Sequence, residues 1–210
     1  MTATSISVIP GLSLPFFPMR PIEGRSLSTP DKAVELALEF TASGDLLQPK
    51  LNGDRACVAV VRSSMLAGMD LRQFKFKLRH FGPMTVLIQN RHGRGYGMPV
   101  NLEAFAKCMA STCVDGEVFK GHFYPFEVLT LGGVSMMREG PKERANMAKV
   151  LCRSIGVDWL FAPPSLRYLR LCAGNLPFWE GFVRKKAGSP YVPCANDSSV
   201  SSIWFKHKWY

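Results

Sequence analysis

The stretch LLQPKLNGDRACVAVV, Leu46–Val61, contains two apolar runs separated by a polar interruption. Lysine, asparagine, glycine, aspartate and arginine follow within six positions, between residues typical of buried strands. One interpretation is an Asn-Gly-Asp hairpin turn that leaves Lys50 exposed at a strand edge. The other is a reactive site in which Gly53 lets the backbone turn sharply and brings Lys50 close to a ligand.

The second interpretation requires a lysine that can lose its proton. A free lysine side chain has a pKa of about 10.4, so that only about one amine in 2,500 is neutral at pH 7. Burial and neighbouring cations both disfavour the ammonium form. Arg55 could supply such a positive charge while it also binds an anion.

Composition indicates a folded basic protein. The chain has 210 residues, of which 47% are hydrophobic, enough for one large domain or two small ones and too many for a disordered chain. Twenty-six Lys and Arg against 16 Asp and Glu give a formal charge of +10. Residues 138–210 contribute +7 of this charge, which favours a polyanionic partner for the C-terminal third, although a soluble basic protein also fits.

Six cysteines occur without a C-x-x-C pair and mostly among apolar neighbours: Cys57, Cys108, Cys113, Cys152, Cys172 and Cys194. Buried free thiols in a reducing compartment are therefore expected rather than zinc or disulfides. The apolar segment SISVIPGLSLPFFPM follows no basic residue and is broken by prolines, so we expect neither a signal peptide nor a membrane span. A cytoplasmic protein is expected, or one in the host cytoplasm if the chain is viral.

Hydrophobic periodicity predicts three helices. The first begins at Thr29-Pro30, has Val34, Ala37 and Leu38 on one face and ends near Ser43-Gly44. The second places Leu102, Phe105, Ala106 and Met109 on one face behind an Asn101 cap, and the third runs from Pro141 to a terminating Gly156.

Seven short runs are predicted as strands: RACVAVV, MTVLIQN, CVDGEVF, PFEVLTL, DWLFAP, FWEGFVRK and SIWFKHKWY. Strands dominate, so the expected class is α+β with antiparallel sheets. The stretches GGVSMMREGP and AGSPYVPCANDSSVSS are predicted as loops.

Six fragments in a fixed order resemble the motifs of the covalent nucleotidyltransferases, the superfamily of ATP-dependent DNA ligases, RNA ligases and mRNA capping enzymes. They are KLNGDR, NRHG, VDGEV, PFEVL, WEGFVRKKAGSPY and SIWFKHKW, between residues 48 and 208. The Ser-Pro-Tyr loop and the tryptophan-flanked K-x-K segment favour a resemblance to the adenylation domain of ATP-dependent DNA ligases. It implies an ATP-grasp-like fold of two antiparallel sheets flanked by helices over residues 46–210, preceded by an N-terminal segment, residues 1–45.

The resemblance also implies a role for each motif residue. Lys50 would attack the α-phosphate of ATP and carry AMP on its nitrogen. Arg55 and Arg91 would bind ribose and phosphate groups. Phe126 would stack on the adenine, with Gln48 near the edge of the base through its backbone.

Further residues would hold the phosphates and a metal. Glu117 would bind the ribose hydroxyls or a metal-bound water, and Glu180 would help to hold Mg²⁺. Lys206 and Lys208 lie two apart on one strand, so both would face the phosphates and neutralise the charge that develops there. Lys185 ends the E-G-x-x-x-K pattern, but within RKK it could equally be a solvated or phosphate-contacting surface residue, and it is left out of the predicted site.

Two departures from the family pattern bear on the function. Asn52 stands where DNA ligases usually have an aspartate, which removes a negative charge. The chain also ends two residues after Lys208, without the OB-fold domain that DNA ligases and capping enzymes add. Residues 1–45 are too few and too rich in proline to form that domain. A minimal catalytic domain, a partner that completes it, or a split gene are the expectations.

The sequence thus predicts a DNA ligase that seals nicked duplex DNA with ATP and Mg²⁺, as a monomer or with an OB-domain partner. DNA repair, replication or recombination would be its setting. An RNA ligase or capping-type guanylyltransferase is a second hypothesis. A non-catalytic nucleic-acid-binding remnant is a third, supported by Asn52 and the missing domain. The alternating basic run of Arg72, Lys75, Lys77 and Arg79 could be a strand that lies along a DNA backbone.

Overall fold

The structure, a computed structural model, describes residue 12 and residues 21–69, 76–90, 97–160, 179–193 and 201–208. Its strands are β1 (Pro21–Glu23), β2 (Leu46–Leu51), β3 (Asp54–Arg62), β4 (Lys77–Phe81), β5 (Met84–Asn90), β6 (Thr112–Phe119), β7 (His122–Leu131), β8 (Val134–Ser135), β9 (Trp179–Lys185) and β10 (Ser201–Lys208). Its helices are α1 (Pro30–Ala42), α2 (Leu102–Phe105) and α3 (Pro141–Ile155), with one 3₁₀ turn at Ser63–Leu66. Within these ranges no helix is long and apolar enough to cross a membrane.

The strands form two sheets. The larger has the order β4-β5-β3-β6-β7-β8 and is antiparallel throughout. The smaller has the order β1-β10-β9-β2. In it β9 pairs antiparallel with both neighbours, but β1 runs parallel to β10. The expectation of purely antiparallel sheets is therefore wrong at one edge, where a strand of only three residues joins the sheet.

The central strand β3 is buried on both faces, which explains its continuous apolar run. Ala56, Val58 and Val60 pack into a cluster with residues of α2 and α3 on one side of the large sheet. Cys57 and Ala59, on the other face, belong to a cluster that reaches residues of the small sheet such as Leu51 and Trp204. A third cluster joins α1 to the far side of the small sheet. The two sheets thus pack face to face, with helices outside.

Two of the three predicted helices are confirmed. In α1 the Thr29 side chain accepts a hydrogen bond from Lys32 N, and α3 ends at Gly156 in the left-handed conformation. The predicted inward position of Leu38 is wrong, because it is 54% exposed while Ala33, Leu36, Ala37 and Phe40 form the buried face.

The second predicted helix is only one turn long. The Asn101 side chain makes no cap hydrogen bond but pairs instead with the backbone of Phe123, through Nδ2 to the carbonyl at 2.8 Å and Oδ1 to the amide at 2.9 Å. Met109 is 59% exposed. The Asn101 side chain, predicted to cap a longer helix, is therefore hydrogen-bonded to strand β7 of the large sheet instead.

Six of the seven predicted strands are confirmed as β3, β5, β6, β7, β9 and β10. The run DWLFAP is wrong where it can be assessed, since residues 158–160 form no strand and the rest lies outside the described residues. The predicted loop GGVSMMREGP contains the two-residue strand β8. Arg72 and Lys75 also lie outside the described residues, whereas Lys77 and Arg79 are exposed on the edge strand β4.

Cys57, Cys108, Cys113 and Cys152 are buried free thiols, and burial raises the pKa of Cys108 and of Cys152 to about 12.

Candidate active site

The polar interruption of Leu46–Val61 lies where the chain crosses from one sheet to the other. Strand β2 pairs with β9 in the small sheet, whereas β3 pairs with β5 and β6 in the large one. The hairpin interpretation is therefore wrong, since β2 and β3 are not partners. At the crossing, a side chain on Gly53 would press against the backbone carbonyl of Val118 in β6. Glycine thus permits the close approach that directs Lys50 into the space between the sheets.

That space is a cleft of about 330 Å³, within the usual range of small-molecule sites. Its walls come from β2, β3, β9 and β10 and from single residues of β1, β5, β6 and β7. The lining residues are Pro21, Gln48, Pro49, Lys50, Leu51, Gly53, Asp54, Arg55, Asn90, Glu117, Phe126, Leu160, Glu180, Val183, Lys185, Trp204, Lys206 and Lys208. Seven of the eight residues predicted to bind or react with the nucleotide are among them.

The eighth, Arg91, lies outside the described residues. Its predecessor Asn90 ends β5 and lines the cleft. Asn52 is exposed in the crossing and does not line the cleft.

Lys50 and Glu180 are in direct contact across the β2–β9 pair. The Lys50 ammonium forms an ion pair with Glu180 Oε2, and Lys208 Nζ lies 3.7 Å from the same oxygen. The three side chains are only 19 to 30% exposed. The next residue, Gly181, has a φ of +144°, and a side chain there would overlap the carbonyl of His207. Strand β10 can therefore pass close enough to β9 to bring Lys208 to Glu180.

Arg55 is fixed by a buried carboxylate in β6. Its Nε donates to Asp115 Oδ1 at 3.0 Å and its Nη2 forms an ion pair with Oδ2, which also accepts a hydrogen bond from the Tyr191 hydroxyl at 2.8 Å. The guanidinium lies 5.2 Å from the ring centre of Phe126 and 5.0 Å from that of Trp204. Burial alone would lower the pKa of Arg55, but Asp115 outweighs it and the pKa stays above its ordinary value.

Glu117, two residues after Asp115 on the same strand, is half-buried in the cleft wall. Burial raises its pKa to about 7, although the positive charges of Lys50 and Arg55 oppose the shift. Its charge at neutral pH therefore depends on what enters the cleft.

Phe126 is at once a core residue and part of the cleft wall. It is 8% exposed and packs edge-on against Trp204 with ring centres 6.5 Å apart. Gln48 is also buried, and its Nε2 donates to the Phe126 carbonyl at 3.1 Å. Lys206 reaches the cleft from β10 and pairs with Glu23 Oε1 at 2.7 Å.

Lys185, which the sequence left undecided, lies inside the protein. Its Nζ donates to Glu127 Oε1 at 2.7 Å and is 3.8 Å from the ring centre of Trp204. The other oxygen of Glu127 accepts a hydrogen bond from Arg144 Nε at 3.0 Å, and all three side chains are at most 1% exposed. Burial lowers the pKa of Lys185 to about 8, against the attraction of Glu127. The signal that could have identified Lys185 is strand alternation, since it is opposite Trp204 in the β9–β10 register.

Two carboxylates are available for a hard cation in the cleft, Glu117 and Glu180. The described residues contain no group of three or more His, Cys, Asp or Glu side chains that could hold a metal by themselves. Mg²⁺ is commonly bound through one or two carboxylates together with substrate phosphates, so this donor set fits Mg²⁺ delivered with a nucleotide.

No model of a known protein family matches the chain, and no curated protein matches its sequence. Solved structures do match. The structure of mycobacterial DNA ligase D complexed with ATP and MES has a TM-score of 0.57 at 18% identity, over 91% of this chain and 60% of that chain. The ligase domain from M. tuberculosis LigD gives a TM-score of 0.55 at the same identity and coverage.

A structure of Lig E DNA ligases matches at a TM-score of 0.46 and 13% identity, too distant to support an inference. The chain spans about 60% of the length of the two LigD structures. The chain therefore has the fold of a DNA ligase's ligase domain, as the resemblance of its motifs predicted.

Proposed function

We propose that this chain is the catalytic domain of an ATP-dependent DNA ligase that forms a lysyl-AMP intermediate on Lys50. The observation that supports the proposal best is that residues from separate sequence motifs meet in one cleft. Motif side chains from β2, β3, β6, β7, β9 and β10 line the same cleft, although they are separated by up to about 160 positions in the sequence. We retain residues 46–210 as the nucleotidyltransferase domain, and residues 1–45 as a leading segment that adds β1 and α1.

In the first step, Lys50 Nζ attacks the α-phosphorus of ATP. A nitrogen–phosphorus bond forms, the bond from phosphorus to the bridging oxygen breaks, and pyrophosphate leaves with that electron pair. Glu180 contacts the Lys50 ammonium and is placed to accept the proton that the amine must lose. The ion pair also holds Nζ at the cleft wall before the nucleotide enters.

The rest of the cleft would position the nucleotide. Phe126 lines the cleft and would stack on the adenine, with Gln48 beside it. Arg55 is held in the cleft wall by Asp115, so it would bind an oxyanion without a large loss of side-chain freedom. Glu117 would accept hydrogen bonds from the ribose hydroxyls, and Arg91 keeps the phosphate-binding role that its motif implies.

Lys206 and Lys208 would neutralise the charge that develops on the α-phosphate and the departing pyrophosphate. Glu117 and Glu180 would hold Mg²⁺, which would polarise the phosphate oxygens when bound. ATP is the nucleotide we assign, because the motifs resemble those of ATP-dependent enzymes and a structural neighbour is described in complex with ATP.

The later steps would transfer AMP to a 5′-phosphate at a nick, after which the 3′-hydroxyl displaces AMP and the strand is sealed. The net charge of +7 from residues 138–210 suits contacts with phosphates that do not read sequence. We propose that the protein acts as a monomer on nicked duplex DNA, with an OB-domain or other protein partner as a possible addition.

The substrate is tested with nicked duplexes. Purified protein, Mg²⁺ and ATP are incubated with matched nicked substrates whose strands at the nick are DNA or RNA, and ligated product is measured on denaturing gels. We expect product from nicked DNA and none from Lys50→Ala. Sealing confined to RNA strands would contradict the DNA assignment and favour an RNA ligase. Failure to seal either substrate by a protein that carries AMP would favour an enzyme that needs a partner for the later steps.

A further inference from the structure

Strand β1 places an acidic side chain on one of the two lysines assigned to the phosphates. Glu23 is opposite Lys206 in the parallel β1–β10 register, and its Oε1 lies 2.7 Å from Lys206 Nζ. Lys206 is 25% exposed and Glu23 62% exposed. Lys206 lines the cleft, and an incoming anion can reach the pair from solvent.

The backbone around Glu23 is attached to β10 at several points. Gly24 N donates to the Lys206 carbonyl at 2.8 Å, and Leu27 N donates to the Lys208 carbonyl at 2.9 Å. His207, between the two lysines, faces the opposite side of the sheet, where its ring stacks on Phe182 with centres 4.9 Å apart. Its Nδ1 lies 3.1 Å from the Arg25 carbonyl. The backbone at Glu23 is thus held beside that of Lys206 by the fold.

Within the described residues, each lysine of the cleft contacts a carboxylate. Lys50 and Lys208 share Glu180, Lys185 contacts Glu127, and Lys206 contacts Glu23. Glu180 has a proposed role with the metal, and Glu127 is completely buried. The largely exposed Glu23 has no role in the proposed reaction, yet it neutralises a lysine that the reaction would need.

We propose that Glu23 is a specificity-determining residue that competes with anions for Lys206 and so weakens the binding of free inorganic polyphosphate to the cleft. The inference rests on the proposed function in one respect: that function makes pyrophosphate the product that leaves Lys206. An anion that binds Lys206 must displace the Glu23 carboxylate and then lie close to its negative charge. Both effects favour release of the product over its retention.

The test is a titration with pyrophosphate in EDTA, followed by calorimetry, on wild type and Glu23→Gln. Ion pairs at this exposure contribute about 0.2–1 kcal/mol, so removal of the competitor should tighten pyrophosphate binding by about 1.5- to 5-fold. Glu39→Gln is the matched control, because Glu39 is also exposed and paired with a cation, Arg25, at 3.5 Å but does not line the cleft. It should leave the affinity unchanged. In a Lys206→Gln background, Glu23→Gln should have no effect.

The competing interpretations give different results. The inference would be overturned if Glu39→Gln tightened pyrophosphate binding as much as Glu23→Gln. It would also be overturned if Glu23→Gln tightened binding equally in the Lys206→Gln background, because in both cases the effect would come from net charge alone. Unchanged or weaker binding by Glu23→Gln, or no pyrophosphate binding by any folded variant, would also overturn it. The measurement needs no AMP transfer. A protein that binds pyrophosphate as expected but never forms an AMP adduct would contradict the proposed function and leave the competition between Glu23 and anions in place.

Discussion

At the scale of single residues, the cleft combines charges whose balance the protein has shifted by burial. Glu117 is the clearest example, because its pKa rises to about 7 from an ordinary value of 4.5. The folded protein therefore holds a proton on Glu117 between these two values that the unfolded chain has already released. The stability that this proton contributes is fully present below pH 4.5 and is lost as the pH rises through 7.

Glu117→Gln should remove that dependence. In EDTA, the free energy of unfolding of wild type should decline relative to Glu117→Gln between pH 4.5 and 7, by at most about 3.5 kcal/mol because one pKa unit corresponds to about 1.4 kcal/mol. Urea titrations at several pH values measure it. Glu103→Gln, at an exposed position on α2, is the control and should follow wild type. Parallel curves for wild type and Glu117→Gln would contradict the assigned shift.

The sequence predicted individual site residues where a motif fixes them and failed where several residues of one type adjoin. Seven of the residues predicted to bind or react with the nucleotide line the cleft. They could be predicted because their spacing within each motif is characteristic. The run Arg184 to Lys186 presents three cations in succession, and only strand pairing distinguishes them. Arg184 pairs with Asp45 behind the sheet at 2.5 Å, whereas Lys185 faces Trp204. The sequence also did not predict that Asp115 pairs with Arg55 and Glu127 with Arg144, because the partners are 60 and 17 positions apart.

At the scale of secondary structure elements, one carboxylate joins three of them. Glu127 in β7 binds Lys185 in β9 and Arg144 in α3, so it links both sheets and the outer helix. Arg144 Nη1 also donates to the Ser189 carbonyl at 3.2 Å, in the turn after β9. Two buried cations share a single anion, and the two halves of the cleft depend on that anion for their relative position.

Removing the anion should therefore cost more than removing one cation. Glu127→Gln leaves two buried charges without a counterion, for which a loss of about 3–5 kcal/mol in the free energy of unfolding is expected. Lys185→Met keeps the Arg144–Glu127 pair and replaces the amine by an apolar side chain, so its loss should stay below about 2 kcal/mol. Chemical denaturation of both variants measures the difference. Equal losses would contradict the view that Glu127 is the shared anion.

Element boundaries were predictable when local signals agreed and not when tertiary contacts competed. The start of α1 and the end of α3 have a side-chain cap and a glycine terminus, and both were predicted correctly. The longer second helix was wrong, since Asn101 binds the β7 backbone. Strand β1 has only three residues, too few to show a periodicity. Its partner β10 is about 180 positions away, so no local signal indicates the pairing.

At the scale of the whole molecule, the crossing between β2 and β3 determines what the cleft contains. It brings Lys50 from the small sheet opposite Glu117 and Phe126 from the large one, with Lys206 and Lys208 beside it. The sequence indicated the α+β class and the set of residues that would meet. It did not indicate that the crossing replaces a hairpin, because an Asn-Gly-Asp segment suits both. The pairing of β2 with β9, about 130 positions later, makes the difference.

The central claim is that this arrangement makes Lys50 a nucleophile towards ATP. The measurement is intact and peptide mass spectrometry after incubation with Mg²⁺ and either ATP or GTP, with Lys50→Ala as the test variant. Lys77→Ala, which removes an exposed lysine from β4, is the control. We predict one AMP on Lys50 in wild type and Lys77→Ala, none in Lys50→Ala and no GMP in any of them. A GMP adduct, an AMP adduct on another residue, or no adduct on well-folded protein would contradict the account.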